Sequence, residues 1–247
     1  MCGRYELHTH PAALALAFGL AAPPDVAPRY NIAPTQQVPI VRQSAAGTRE
    51  WVEVRWGLVP RWAKDPSIGA KLINARAETA AAKPAFSNAF RRHRCLVPAD
   101  AFYEWKPTQE GKRPVRVALK NGKPLGMAGL YERWLAGDGA VLDSCTILTT
   151  QANALLADVH DRMPVIIAPQ DYARWLDPAA NEVADLLAPY PAEAMTWYPI
   201  SMRVNAVRND DATLIERAAD LPQSATEDEA LIDDPPHPKK PVQSSLL

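Results

Sequence analysis

The sequence has little of several features by which protein classes are recognised. It contains only three cysteines, Cys2, Cys95 and Cys145, without a CxxC pair, and its five histidines are scattered. This pattern fits neither a disulfide framework nor a zinc site, so we expect reduced thiols and no metal or cofactor. No apolar run approaches the roughly 20 residues that span a bilayer, and the first ten residues lack the layout of a secretory signal. We therefore expect a cytoplasmic protein. As a separate expectation, the protein acts as a monomer.

Charge is distributed unevenly along the chain although the net charge is only −1. Residues 1–120 carry 18 Lys and Arg against 9 Asp and Glu, whereas residues 121–247 carry 9 against 19. A basic half can steer an anionic partner such as nucleic acid, unless the two signs interleave after folding. From about residue 221 the sequence is polar and proline-rich, and it cannot bury enough apolar surface to order itself. We expect one domain over 1–220 and a disordered tail over 221–247.

The hydrophobic pattern predicts a fold dominated by strands. Strands are predicted over 37–42, 51–59, 94–99, 101–105, 114–119, 125–134 and 143–150, and helices over 10–19, 76–89, 151–158, 169–176 and 181–188. The dipeptide Asn121-Gly122 is a hairpin signal between two of these strands. The pattern therefore indicates an α+β domain built on antiparallel sheet, with helices around it.

Cys2 directly follows the initiator methionine. Removal of Met1 would give one residue with a free amine and a thiol on adjacent carbons. Such a pair condenses with an aldehyde to a Schiff base and then closes a thiazolidine ring. The reference pKa values, about 7.7–8.0 for the amine and about 8.5 for the thiol, suit neutral pH. The alternative is that Cys2 is only a small residue at a frayed terminus.

Two asparagines occupy places where strand or helix residues are expected. Asn31 lies between an aromatic and an apolar residue and could be a turn residue that bonds its own backbone. Asn74 could hold an amine through its carbonyl oxygen, while Arg76 could bind phosphate with a two-pronged fork. Alternatively, Asn74 caps a helix whose solvated first turn carries Arg76 and Glu78.

Two titratable residues stand in apolar surroundings. Glu104 alternates with Phe102 and could point inward, where burial would raise its pKa and let it move protons near neutrality. It could also form a structural ion pair with an arginine. His160 precedes an apolar strand and could donate a proton to a sugar oxygen, with Asp161 or Arg162 orienting it. It could equally be a structural histidine.

The segment around Trp62 joins aromatic and basic residues, which suits stacking on an unpaired base beside its phosphate. Taken with the segments above, it completes a series of motifs that resembles the SRAP family, the SOS response-associated peptidase proteins. The matching motifs occur in order over about residues 1–205: MCGRY, RYNIAP, WGLVPRW, NARAET, RCLVPADAFYEW, LTTQAN and HDRMP.

The resemblance implies a single α+β domain on a mostly antiparallel, strongly curved sheet, with a basic groove for single-stranded DNA. It implies a trap in which Cys2 forms a thiazolidine with the ring-opened sugar of an abasic site. Asn74 would position the amine, Glu104 would transfer protons, and His160 would assist at the ring oxygen. The DNA path would be lined by Arg4, Asn31, Pro34, Trp62, Arg76 and Thr149.

Members of the family often carry two adjacent aromatics where this chain has Trp62-Ala63, and the loop that follows is longer here. Base stacking at this position is therefore expected to be weaker or rearranged.

Two other functions remain open. One is a cysteine peptidase that uses Cys2, His160 and Asn74, with activity limited to removing Met1. The other is a non-covalent single-stranded DNA-binding module. A Schiff base could also support a minor strand-cleaving lyase activity.

Overall fold

A computed structural model describes residues 2–218, and the predicted tail over 221–247 lies outside the described residues. The strands are β1 (Tyr5–Leu7), β2 (Arg29–Ile32), β3 (Gln37–Gln43), β4 (Arg49–Trp56), β5 (Asn74–Arg76), β6 (Arg94–Ala99), β7 (Ala101–Thr108), β8 (Gly111–Leu119), β9 (Leu125–Leu135), β10 (Val141–Gln151), β11 (Arg162–Pro164), β12 (Ile166–Ile167) and β13 (Met195–Pro199). The α-helices are α1 (Pro11–Phe18), α2 (Ala77–Ala80), α3 (Ser87–Arg92) and α4 (Tyr172–Leu176). None of the helices in the described part is long and apolar enough to cross a membrane.

The strands form two sheets. The first has the order β13-β8-β7-β1-β2, and all its pairings are antiparallel. The second has the order β11-β10-β4-β3-β6-β9-β12, and because β10 also pairs with β9, its central strands close on themselves. Among the strands of residues 2–218, only the pairings of β10 with β4 and with β5 are parallel. The predicted α+β fold on a mostly antiparallel, strongly curved sheet is confirmed.

The predicted hairpin at Asn121-Gly122 is wrong. The turn itself exists, since Gly122 has φ +67° and its N–H donates to the Leu119 carbonyl. However, β8 before the turn belongs to the first sheet and β9 after it belongs to the second. The turn residues determine the reversal of the chain, but they do not determine which strands pair. Strand β8 pairs with β7 and β13, whereas β9 pairs with β6 and β10.

The helices were predicted less well than the strands. Helix α1 ends at Phe18 and is capped by Gly19, which adopts φ +65° and donates its N–H to the Ala15 carbonyl. The predicted helix over 76–89 is interrupted between α2 and α3, where Pro84 cannot donate to a helical turn. The segment 181–188 contains only a 3-10 turn, Ala184–Leu187. The segment 169–176 is a 3-10 turn followed by α4.

The predicted helix over 151–158 is also wrong, and this matters for the site. Residues 154–159 form successive turns. Asn153 holds them in place, because its side-chain oxygen accepts from the Leu156 N–H at 3.1 Å while its amide donates to the Tyr190 carbonyl at 2.7 Å. The Leu156 carbonyl then accepts from the His160 N–H at 3.0 Å. His160 therefore follows a fixed series of turns.

Two glycines determine the course of the loop that carries Trp62. Gly57 has φ +130°, and a Cβ built on it would lie 2.6 Å from the Gly69 carbonyl oxygen. A Cβ on Gly69 would lie 2.4 Å from the Gly57 oxygen. The two backbones approach too closely for any side chain, so both ends of this long loop are fixed. Between them Trp62 remains 60% exposed.

Candidate functional site

The N-terminal strand delivers Cys2 to the first sheet. Strand β1 lies between β2 and β7, with Tyr5 opposite Phe102, and the Tyr103 N–H donates to the Arg4 carbonyl at 2.9 Å. This register places Cys2 beside Glu104. The Cys2 side chain is fully buried, so the interpretation of Cys2 as part of a frayed terminus is wrong.

A buried ion pair holds this strand in place. Glu6 has no exposed surface, and one carboxylate oxygen accepts from Arg116 Nε at 2.8 Å and Nη2 at 2.6 Å. Its other oxygen accepts from the Tyr103 hydroxyl. The pKa of Glu6 is lowered despite the opposing effect of burial, because His8 and Arg116 donate to the carboxylate. The carboxylate is thus fully paired, and it fixes β1 four residues after Cys2.

Asn74 lies at the start of β5, which pairs in parallel with β10. Its Nδ2 donates to the Cys2 carbonyl at 2.8 Å across 72 residues of sequence. Its Oδ1 is buried and accepts no hydrogen bond from the described residues. Asn74 is not a helix cap, since α2 begins after Arg76. The carbonyl oxygen of the side chain is therefore available to a donor placed beside Cys2.

Glu104 is 3% exposed on β7, together with the buried Phe102, so the prediction that both point inward is confirmed. Burial raises the pKa of Glu104, while nearby charge including that of His160 opposes the shift. Glu104 also has an effect on the thiol. Burial, followed by the negative charge of Glu104, raises the pKa of Cys2 well above its ordinary value. Glu104 therefore lies within electrostatic reach of both Cys2 and His160.

His160 is partly exposed at the end of the 154–159 turns. Its Nδ1 lies 2.7 Å from an Asp161 carboxylate oxygen and 2.9 Å from the Arg162 backbone N–H. Both contacts engage the same ring nitrogen, so the imidazole ring is oriented from that side. Cys2, Asn74, Glu104 and His160 come from four separate segments, and the structure brings them together.

Arg162 fixes the neighbourhood of His160. Its guanidinium forms a two-pronged pair with Glu78, at 2.6 and 2.9 Å, and also donates to the Thr149 carbonyl. Hydrogen bonding from Arg162 lowers the pKa of Glu78. This contact ties the segment after Asn74 to the segment after His160. Sequence reasoning gave Arg162 a possible orienting role but gave no sign of its partner.

The residues expected along the DNA path differ in their exposure. Trp62 and Arg76 are exposed and Pro34 is half-buried, so these three are accessible to a ligand. Thr149 is fully buried in β10, and its hydroxyl lies 3.4 Å from an Arg162 donor. The expectation that the Thr149 side chain lines the path is not supported by its position, because this side chain has no exposed surface.

Arg4 and Asn31 contact each other inside the protein. Arg4 Nη1 donates to Asn31 Oδ1 at 2.7 Å and to the Val204 carbonyl at 2.8 Å. Asn31 is 1% exposed, and its amide donates to the carbonyls of Val204, Ala206 and Asn209. The Asn31 side chain is saturated, so it holds Arg4 rather than facing a ligand. Nothing in the sequence indicated that residues 204–209 would be its partners.

Comparison with known proteins gives a consistent result. The family model described as SOS response associated peptidase (SRAP) matches residues 1–207. The abasic site processing protein YoqW of Bacillus subtilis is 40% identical over 223 residues, covering 87% of this chain and 99% of that protein. The abasic site processing protein YedK of Escherichia coli is 31% identical over 230 residues, with coverages of 87% and 99%.

Solved structures agree with the sequence comparisons. A crystal structure of a protein from Bacteroides thetaiotaomicron superposes with a TM-score of 0.79 at 26% identity, covering 88% of this chain and all of that one. A protein from Bordetella bronchiseptica gives a TM-score of 0.72 at 30% identity, with coverages of 81% and 100%. With the family model matched over most of its length, this chain belongs to the SOS response associated peptidase (SRAP) family.

Proposed function

We propose that this protein captures abasic sites in single-stranded DNA by covalent bonding to Cys2 after Met1 has been removed. The observation that carries the proposal is the convergence of Cys2, Asn74, Glu104 and His160 from four segments of the chain. Relatives named abasic site processing proteins support the same substrate. By capturing the lesion, the protein would shield it during the response to DNA damage.

The chemistry balances with the groups at hand. The free amine of Cys2 attacks the C1′ aldehyde of the opened sugar, and the carbinolamine loses water to give a Schiff base. In the protonated Schiff base the thiol sulfur then adds to the carbon of the C=N bond, the thiol proton passes to the Glu104 carboxylate, and the nitrogen keeps its own proton in the thiazolidine. The overall change is aldehyde plus aminothiol to thiazolidine plus water.

The raised pKa values set the order of these steps. Because the pKa of Cys2 is raised, the thiol stays protonated at neutral pH and the amine reacts first. Because the pKa of Glu104 is also raised, its carboxyl can give a proton to the departing hydroxyl. The resulting carboxylate then takes the thiol proton. Asn74 Oδ1 accepts from the attacking amine, and His160 gives a proton to the ring oxygen as the sugar opens.

Several finer points belong to the same proposal. Exposed Trp62 suits stacking on an unpaired base, and Arg76 suits a phosphate, which together favour a single strand over a duplex. We place the end of the domain near residue 220. The protein would act as a monomer in the cytoplasm, at the nucleoid when bound to DNA.

Intact mass and denaturing electrophoresis test the proposal. Wild-type protein should lose Met1 and gain the mass of an abasic oligonucleotide less one water, and the adduct should survive denaturant. Cys2→Ala and an N-terminally acetylated protein should give no adduct, whereas Cys95→Ala, which removes a different buried thiol, should react normally. A durable adduct with Cys2→Ser, or mature protein that retains Met1 and still reacts, would refute the mechanism.

A cysteine peptidase is the principal alternative, and it makes a different prediction. A thiol–imidazole nucleophile needs a lowered thiol pKa, whereas burial raises the pKa of Cys2. We therefore limit peptidase activity to removal of Met1. Blocking the amine while keeping the thiol should abolish the DNA adduct, whereas a general peptidase would keep cleaving peptides.

The Schiff base also permits a minor lyase activity. Loss of the C2′ proton from this intermediate eliminates the 3′ phosphate and breaks the strand. Wild-type protein should nick abasic single strands faster than Cys2→Ala does. Equal rates would remove the lyase activity from the proposal, and a non-covalent binding module would give neither nicks nor an adduct stable to denaturant.

A further inference from the structure

A cavity of about 490 Å³ lies beside the proposed reaction centre. It opens between the first sheet, the turns before His160 and the chain before β13. The lining residues that matter here are Lys106, Lys120, Leu155, Asp158, Glu193 and Trp197. Its volume lies within the range of about 300–1,000 Å³ that is typical of small-molecule sites.

The strand register puts the cavity on the same face of the sheet as Glu104. Side chains alternate along a strand, so Phe102, Glu104 and Lys106 share one face of β7. Phe102 lies opposite Val117, and Val117 lies opposite Trp197, so Trp197 shares that face. Lys106 is two residues from Glu104, which corresponds to roughly 7 Å along the strand.

The turns that carry His160 form the opposite wall. Leu155 and Asp158 line the cavity, and Asp158 is two residues before His160. Lys106 Nζ lies 3.4 Å from the Asp158 carbonyl oxygen. The cavity therefore lies between the strand that carries Glu104 and the turns that carry His160, and a ligand in it would adjoin the reacting sugar.

The lining chemistry matches a nucleotide better than a bare anion. Lys106 and Lys120 supply two cations, but Asp158 and Glu193 supply two carboxylates that would repel a ligand made only of phosphate. Lys106 Nζ lies 5.3 Å from the centroid of the Trp197 ring, so a cation and an aromatic surface are adjacent. A phosphate can bind the ammonium groups while a base contacts the apolar surface and donates its N–H groups to a carboxylate.

Building on the proposed function, we propose that this cavity binds the nucleotide next to the abasic sugar, with Lys106 contacting the phosphate that joins them. The site holds the strand on one side of the lesion and so aligns the C1′ carbon with Cys2. Lys106 acts by positioning the substrate, and it takes no part in the proton transfers.

The test combines a charge change in the protein with a charge change in the DNA. Lys106→Met keeps most of the side-chain stem and removes the charge, whereas Lys106→Arg keeps the charge. Lys112→Met is the matched control, because Lys112 lies opposite Pro107 in the same hairpin and its side chain points to the other face. The substrates are abasic oligonucleotides with a neutral methylphosphonate at the phosphate on the 5′ or the 3′ side of the lesion.

Lys106→Met should slow crosslinking about tenfold, the scale of one lost charged contact. The plot of log affinity against log salt should become shallower by about 0.7 for one phosphate on a single strand. A methylphosphonate on one side of the lesion should slow the wild type similarly and abolish the difference between wild type and Lys106→Met. Lys106→Arg should remain near wild type and Lys112→Met should be unaffected.

Equal effects of Lys106→Met and Lys112→Met, or a Lys106→Met effect that persists in both methylphosphonate substrates, would overturn the proposal. Affinities are measured on a strand with a tetrahydrofuran residue, which cannot form an aldehyde. These affinities test the cavity site even if the wild-type protein forms no covalent adduct. The absence of an adduct would refute the proposed function and would leave the cavity site to be judged by the affinities. If Lys106→Met does not fold, the Lys106→Arg protein serves instead. The cavity site would be refuted if neither methylphosphonate changed the crosslinking rate of Lys106→Arg.

Discussion

Replacing Glu104 by glutamine separates its proton chemistry from its packing. Glutamine has nearly the same shape, so the change preserves the buried surface on β7 and removes only the titratable group. A positioned acid–base group contributes about 10²–10⁴ to a rate. At about 1.36 kcal/mol for each factor of ten, this corresponds to roughly 2.7–5.4 kcal/mol of barrier. We expect Glu104→Gln to slow crosslinking by a factor in this range while DNA affinity stays unchanged.

Glu104→Gln should be more stable to denaturant than the wild type at pH 8, although it crosslinks more slowly. The folded-state pKa of Glu104 is raised by burial, so the unfolded chain releases this proton more readily than the native protein does. The carboxyl's favourable contribution is therefore fully present below the unfolded pKa, about 4.3, and is lost as pH rises through the folded pKa. Glu104→Gln should match the wild type in denaturant midpoint at pH 4 and exceed it at pH 8. A slower protein that is also more stable cannot be explained by misfolding.

The assay is the single-turnover crosslinking rate between pH 5 and 9, read on denaturing gels. Wild-type rates should fall at low pH, where the amine is protonated, and at high pH, where Glu104 has lost its proton. The variant should lose only the high-pH decrease. Glu110→Gln, on the exposed tip of the same hairpin, is the control. The reasoning is refuted if Glu104→Gln reacts at the wild-type rate throughout, or if it keeps the high-pH decrease.

Three further predictions follow from the contacts around the site. Asn31→Ala frees Arg4 and leaves buried carbonyls without donors, so urea denaturation should show a loss of about 2–4 kcal/mol, and an unchanged midpoint would contradict the assigned role. Trp62→Ala should weaken single-strand binding by about 1–3 kcal/mol in fluorescence anisotropy without lowering the melting temperature, and unaltered affinity would remove Trp62 from the DNA path. Hydrogen bonding from Arg162 lowers the pKa of Glu78 in the folded protein, so the ion pair stabilises the fold above the unfolded pKa and this stabilisation is lost as pH falls. Glu78→Gln should therefore have a lower melting temperature than the wild type at pH 7, and the difference should shrink below about pH 4.3. A difference that does not depend on pH would contradict the ion pair.

The strands and the burial of Glu104 could be predicted from sequence because their signals are local. Alternation between apolar and polar residues is imposed by burial of one face, and the hydrophobic pattern gave the positions of β3, β6 and β9 to within a residue at each end. The same alternation placed Glu104 beside Phe102 in the interior. The turns at 154–159 could not be predicted in this way, because they depend on the side chain of Asn153, which accepts from the Leu156 N–H and donates to the distant Tyr190 carbonyl.

The contact between Arg4 and Asn31 could not be predicted from the sequence. Both residues lie near the N-terminus in motifs that the family resemblance assigned to DNA, yet the carbonyls that saturate Asn31 come from residues 204–209, near the end of the described chain. A polar side chain in a strand is equally consistent with a ligand contact and with an internal partner, and only the three-dimensional position of a distant segment decides between them. Here that segment has a consequence for the chemistry. By holding Arg4, it fixes the backbone two residues from Cys2, so substitutions around Val204 should change the crosslinking rate without touching the DNA.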